Sequence, residues 1–297
     1  MALYPRPGVP YDQGPMRRHL RPLALLALTL APSVVVAAPK KKVAAAGAPS
    51  APACGVTVLP LVVGNQWTYA QAAAPAPATT DIVRISPPLP KSFVITVTSI
   101  ESKAGDTVVS LEEKITYDYT KDTKKPILED RVVISTITCN AKKFDISPES
   151  FFFAGEPGGY AGLVIDKLDR KGTSWLLTKG SFGEAEWPED LVIQWTRKAH
   201  EASGATYGSG KLEMERRITP LEPEAVITKA GSYPKAEKVA IKTTGRITLD
   251  KPLSADLKPM ELPADWINQL WFVEGTGVVA SLNRYAHMYH LVDSQLK

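Results

Sequence analysis

Asp106-Thr107-Val108-Val109-Ser110-Leu111-Glu112-Glu113-Lys114-Ile115-Thr116-Tyr117-Asp118-Tyr119 is the stretch that decides the fold class. Val109, Leu111, Ile115, Tyr117 and Tyr119 fall on one face of an extended chain, and Ser110, Glu112, Lys114, Thr116 and Asp118 on the other. Side chains of a strand alternate between its faces, so this period of two describes an antiparallel strand with one face in a core and one in water. Only Glu113 breaks the apolar face. The pattern recurs with Phe93, Ile95 and Val97 against Thr96 and Thr98, and with Leu191, Ile193 and Trp195 against Gln194, Thr196 and Lys198. It recurs again with Val239, Ile241, Ile247 and Leu249 against Lys242, Thr244, Arg246 and Thr248.

Further strands are expected at residues 66–70, 79–86, 129–140, 212–219, 270–283 and 285–292. Turn chemistry separates several of them, at Ala104-Gly105-Asp106, across residues 204–210 and at Gly231-Ser232-Tyr233-Pro234. Helical spacing is scarce, and one short helix is expected at 264–269, after Pro263. Long strands with short links and no crossover helices predict an all-β fold. The expected form is an antiparallel meander of about eight to eleven strands, strongly curved or partly closed into a barrel.

In front of this domain the composition changes twice. The first 15 residues are Pro-rich and without periodicity, and read as an upstream extension, so that Met1 and Met16 are both open as starts. From Met16, the basic Arg17, Arg18 and Arg21 lead into an apolar run at 23–36, the arrangement of an export signal. Pro22 and Pro32 interrupt the run, which is short of the roughly 20 residues of a membrane span. Val35 and Ala37 supply the small residues a signal peptidase reads, so cleavage is expected after Ala37; an uncleaved anchor is the alternative. Lipidation is not expected, because the first cysteine is Cys54, well past the apolar run. Residues 38–54 read as a disordered Ala/Pro/Lys linker, and residues 55–297 as a single β domain.

Charge argues in the same direction. The chain carries a formal +4, from 35 Lys and Arg against 31 Asp and Glu. Arg6, Arg17, Arg18 and Arg21 against Asp12 lie in the first 37 residues, and Lys40, Lys41 and Lys42 in the linker; without them the balance is −2. A near-neutral domain is a poor match for nucleic acid, whose affinity comes largely from phosphate neutralisation. The two cysteines, Cys54 and Cys139, both lie in the exported part, where an oxidising compartment lets them pair. Two independent thiols are the other reading.

Candidate chemistry is thin. Residues 144–190 hold Phe151, Phe152 and Phe153, a Gly-rich turn at 155–159, and the acidic-aromatic run Phe182-Gly183-Glu184-Ala185-Glu186-Trp187-Pro188-Glu189-Asp190. Large apolar residues on irregular backbone need a cover, so Phe151, Phe152, Phe153 and Trp187 are candidates for contact with an apolar ligand or a partner. The other reading, which the bare pattern favours slightly, is that the three phenylalanines plug one end of the barrel. Glu184, Glu186, Glu189 and Asp190 have the residue types of a glycosidase pair, a minor reading beside ordinary surface acids. His287 and His290 stand three apart, a spacing that puts strand residues on opposite faces, so no metal site is expected. No nucleophile elbow, zinc motif or phosphate loop occurs, and no cofactor is expected.

The domain opens with Leu59-Pro60-Leu61-Val62-Val63-Gly64-Asn65-Gln66-Trp67-Thr68-Tyr69. This resembles the Pro-Leu-x-x-Gly-Asn-x-Trp-x-Tyr opening of the TapB-like family, a broad group of exported bacterial β proteins. Near the other end, Val273-Glu274-Gly275-Thr276-Gly277-Val278-Val279 resembles the family's Gly-Val-Gly-Leu-Val strand start, with Thr276 and Val278 departing. The resemblance covers the two ends of the domain and leaves the middle unmatched. It implies a cell-envelope protein with an open β-barrel-like fold, a lipid or hydrophobic-ligand carrier or an assembly partner, with no catalysis. Independently of the family, Gly64 and Asn65 suit a tight turn that sets Trp67 and Tyr69 on one strand face as core anchors. Gly275 and Gly277 suit a bend or a close backbone approach.

Overall fold

A computed structural model describes residues 53–72, 90–118, 126–140, 143–153, 163–175, 177–178, 181–183, 185–197, 209–250, 260–261, 266–283 and 287–297. The expected leader, its cleavage point, most of the linker and the expected strand at 79–86 lie outside these residues.

The strands are β1 (Gln66–Ala72), β2 (Pro90–Lys103), β3 (Asp106–Asp118), β4 (Leu128–Cys139) and β5 (Phe144–Ile146). Then follow β6 (Leu163–Gly172), β7 (Leu177–Thr178), β8 (Ser181–Phe182), β9 (Trp187–Arg197) and β10 (Ser209–Ile227). The last are β11 (Ser232–Leu249), β12 (Met260–Glu261), β13 (Trp266–Val273), β14 (Gly277–Leu282) and β15 (Met288–Gln295). The fold is all-β and antiparallel. One sheet runs in the order β5-β4-β3-β2-β1-β15-β14-β13-β11-β10-β9-β6, with β12 paired to β11 and a separate β7-β8 hairpin. The meander skips β12 between β11 and β13 and the β7-β8 hairpin between β6 and β9, and its longest jump is where β1 pairs with β15 and so brings the two ends of the domain together.

Local chemistry explains the elements. Val109, Leu111, Ile115 and Tyr117 of β3 point into the core, and Glu113 between them is buried as well. Between β2 and β3, Ala104 (φ 51°) and Gly105 (φ 87°) form a two-residue turn with both φ positive, the hand that matches strand twist. The expected strand at 270–283 is two strands, because Gly275 (φ 70°) and Gly277 (φ 100°) reverse the chain between β13 and β14. That division, with the three-residue β5, carries the sheet slightly beyond the expected strand number. The helix expected at 264–269 is not formed by its described part, since residues 266–269 belong to β13. Asn268 and Leu270 of β13 are buried while Ile267 is exposed, so the alternation of a sheet overrides the local preference.

The sheet rolls until its edge strands approach each other. The Trp175 amide donates to the Phe144 carbonyl at 3.1 Å, the Ile146 amide to Ser174 Oγ at 3.0 Å, and Arg170 Nη2 to the Ile146 carbonyl at 2.5 Å. This seam links β5 to the end of β6 and the residues that follow it. Phe144 and Ile146 from one edge and Trp187 from near the other accordingly share one core cluster. A smaller cluster, Leu191, Ile193, Trp195, Leu212 and Met214, lies under β9 and β10. Ahead of β1, Val56, Val58, Leu59 and Leu61 pack into the main core, and a disulfide joins Cys54 to Cys139 at the end of β4.

Candidate functional site

Three groupings could carry function, and each is built from residues far apart in sequence. The first joins the two family-like motifs. Gly64 (φ 87°) and Asn65 turn the chain into β1. Asn65 is fully buried; its Nδ2 donates to the Pro60 carbonyl at 2.7 Å and its Oδ1 accepts the Lys297 amide at 2.8 Å. One amide side chain thus ties the lead-in to β1 and the residues after β15. Trp67 Nε1 donates to the Thr276 carbonyl at 2.6 Å, and the Tyr69 hydroxyl to the Val278 carbonyl at 2.9 Å. A Cβ on Gly277 would stand 2.9 Å from Trp67 Nε1, so only glycine lets the indole lie against that turn. Burial pushes the Tyr69 hydroxyl well above its usual pKa, which keeps it a neutral donor. The two motifs are therefore one clasp, with Asn65, Trp67 and Tyr69 buried in it.

The second grouping surrounds the phenylalanine triplet. Phe151, Phe152 and Phe153 are buried in the main core. Phe152 lies 4.3 Å from the Tyr69 ring centre and Phe151 5.3 Å from that of Phe93. What turns this segment inward is Glu113: its Oε2 accepts the amides of Phe151 at 3.0 Å and Phe152 at 2.9 Å, and its Oε1 accepts the Ser135 hydroxyl at 2.7 Å. Burial raises the Glu113 pKa, although these bonds and one from Ser150 act in the opposite sense. The remaining space beside the triplet is a cavity of about 20 Å³, also lined by Asn268, Ser281 and Tyr289.

The third grouping is the acidic-aromatic run. Trp187 is buried, donates from Nε1 to the Thr173 carbonyl at 3.2 Å and stacks on Phe182 at 6.3 Å. Glu189 is buried among cations and a hydroxyl, with Arg216 Nη1 at 3.1 Å, Arg170 Nε at 3.3 Å and Ser174 Oγ at 2.8 Å. Arg170 also reaches Asp145 at 3.2 Å. Glu186 accepts from Thr219 at 2.9 Å, and Asp190 lies 3.5 Å from Arg217. Glu184 lies outside the described residues. Glu189 is thus buried in the seam, whereas Glu186 is exposed.

His287 precedes β15, with the Gln71 amide 3.3 Å from its Nδ1, and His290 lies within β15. Burial lowers the pKa of both. Among the described residues no group of three potential metal ligands converges, and no helix is long and apolar enough to cross a membrane.

In the sequence Glu113 shows only as the one break in an apolar face. A lone carboxylate at a core position is itself a signal, since a buried charge must be fully bonded. Arg170 and Arg216 gave no such signal, standing in ordinary polar strand sequence.

No protein-family model matches the chain, and no curated protein does. Solved structures that align with it include a protein of Bacteroides fragilis, inferred to be exported and described as having a YmcC-like fold. It is 13% identical over 80% of this chain and 98% of that one, with a TM-score of 0.42. Another, from Parabacteroides distasonis and inferred to be a lipoprotein, is 12% identical over 81% of this chain and 99% of that one, with a TM-score of 0.43. Likeness at this level does not extend to function.

Proposed function

We propose that the protein is a non-catalytic component of the bacterial cell envelope, exported and released from its leader after Ala37, whose rolled sheet is a filled scaffold for assembly with another envelope component. The observation that carries this reading is the interior. Among the described residues, the space left beside Phe151, Phe152 and Phe153 is about 20 Å³, room for about one water. A pocket for a lipid or another apolar ligand needs several hundred Å³, on the order of 300 or more. To make that space the triplet would have to leave the core together, giving up both amide bonds to Glu113.

Support for export comes from the basic and then apolar order of residues 16–36, and from the Cys54 to Cys139 bond, which suits an oxidising compartment. The TapB-like resemblance of residues 59–69 and 273–279 fits the same compartment, and its two halves have a structural use in the clasp. Native mass spectrometry with lipid extraction, on protein purified from its own envelope, tests the reading. The expected species is an empty chain beginning at Ala38 and lighter by two hydrogen atoms for the disulfide. A stoichiometric co-purifying lipid would replace the scaffold with a carrier.

A further inference from the structure

The cavity beside the phenylalanine triplet has one polar wall in an otherwise apolar lining. Asn268 of β13 and Ser281 of β14 both line it, and both are buried. The strand register sets them on one inward face: Leu270 stands opposite Ser281, and Asn268, two residues before Leu270, is the diagonal neighbour of Ser281. On its other side Asn268 stands opposite Ile241 of β11, which also lines the cavity. An asparagine only 7% exposed has given up its hydration, and among the described residues its Oδ1 meets no donor. A buried acceptor without a donor is costly, and native interiors rarely keep one. The amides of the triplet cannot supply it. Those of Phe151 and Phe152 go to Glu113, and that of Phe153 goes to Ser150 Oγ at 3.0 Å. The Tyr289 hydroxyl, also at the cavity, donates to the Pro90 carbonyl at 2.9 Å.

We propose that this cavity is a binding site for a single water molecule, which donates to Asn268 Oδ1 and bonds to the Ser281 hydroxyl, joining β13 to β14 beside the triplet. Size selects the ligand. A buried water needs roughly 10–15 Å³, and the cavity offers about 20 Å³, too little for an organic molecule. Chemistry decides that the space is wet. A cavity of this size lined only by Phe and Ile side chains would stay dry, whereas an amide oxygen in want of a donor and a hydroxyl that both donates and accepts give a water the polar partners it requires. The inference rests on the filled interior of the proposed scaffold and completes it, since water takes the space that the phenylalanines leave.

A high-resolution crystal structure of the purified protein, with magnetic relaxation dispersion of the water signal in solution, tests the site. The expected density is one water at about 2.7–3.2 Å from Asn268 Oδ1 and within the same reach of Ser281 Oγ. In solution, Asn268→Leu puts an apolar side chain in the place of the amide and the water together, and should lose one long-lived water relative to wild type. Ser281→Ala removes a single oxygen atom and is the safer variant for folding. It should keep the water and shorten its residence about tenfold, for the loss of one hydrogen bond. A dry cavity, an Asn268 amide bonded to the protein instead, or a dispersion indifferent to both variants would each overturn the site and leave the scaffold reading standing. A lipid chain in the cavity would overturn both.

Discussion

The sheet is joined in two places where chain order does not dictate a neighbour, and the two joints are made of different materials. Where β1 meets β15, the joint is a strand ladder running from Gln66 opposite Gln295 to Ala72 opposite Met288, reinforced by Trp67 and Tyr69 bonded to backbone carbonyls. Where β5 meets residues 173–175, most bonds run from side chains to backbone, and the charge behind them is Glu189 shared by Arg170 and Arg216. A ladder spreads its stability over many similar bonds. A buried ion cluster concentrates it, because removing one member leaves the others desolvated and uncompensated.

That difference sets the largest expected effect. Glu189→Ala should cost about 3–5 kcal/mol, the penalty for leaving buried charge unpaired, read from urea unfolding. Hydrogen exchange on the same variant should show Phe144, Ile146 and Trp175 amides opening first, with β1 and β15 still protected. Uniform loss of protection would mean that the two joints are one cooperative unit and the comparison fails.

Glu113 stands on the seam side, since the segment it holds follows directly from β5. Glu113→Ala strands the Phe151 and Phe152 amides in the core and should cost about 2–4 kcal/mol. The pH dependence has a definite sign. Burial raises this carboxyl above its ordinary 4.5, so its contribution is complete below pH 4.5 and is lost as pH rises through the folded value. Wild type should therefore lose stability relative to Glu113→Gln as pH climbs from 4.5, measured by urea midpoints at successive pH values. A gap that moves the other way would show the hydrogen bonds outweighing burial.

At the clasp, Gly277→Ala is the matching test. It places a side chain at φ 100° and drives Cβ to 2.9 Å from the indole nitrogen of Trp67. A cost of about 2 kcal/mol is expected from backbone strain and the displaced indole, visible as a lower Tm and a shifted Trp fluorescence maximum. Unchanged fluorescence would place the indole elsewhere.

How far each joint was legible in the sequence follows from its materials. Alternation in β3 and the Gly64-Asn65 turn ahead of Trp67 are local patterns, so the fold class and the strand face shared by Trp67 and Tyr69 could be read directly. Their mutual partner, the turn at Gly275 and Gly277, was visible as a motif but not as a contact, because nothing local says which strands become neighbours. Gly275 also divided a strand expected to be continuous. The seam was hidden for a stronger reason: Glu189 sits in a run of acids that looks like a solvated turn, and its cations come from β6 and β10. Phe151, Phe152 and Phe153 admit both a partner-facing and an inward reading, the inward one only slightly favoured, because the residue that turns them inward, Glu113, is on a different strand.

The smallest expected effect belongs to neither joint and calibrates both. Ala104 holds φ 51° in the two-residue turn between β2 and β3, a left-handed conformation in which its Cβ crowds the following carbonyl. Asparagine tolerates that region better than alanine, and Asn-Gly is the pair this turn type prefers. Ala104→Asn should therefore stabilise the protein by about 0.5 kcal/mol, a rise in Tm of roughly 1–2 °C for a domain of this size. Since the turn itself joins only β2 and β3 and a Cβ at Gly105 meets nothing within 4 Å, the gain should be the same in wild type, in Glu189→Ala and in Gly277→Ala. Additivity with both variants would show that each joint's loss is local, and a gain that vanishes in either would show that joint reaching across the sheet as far as this turn.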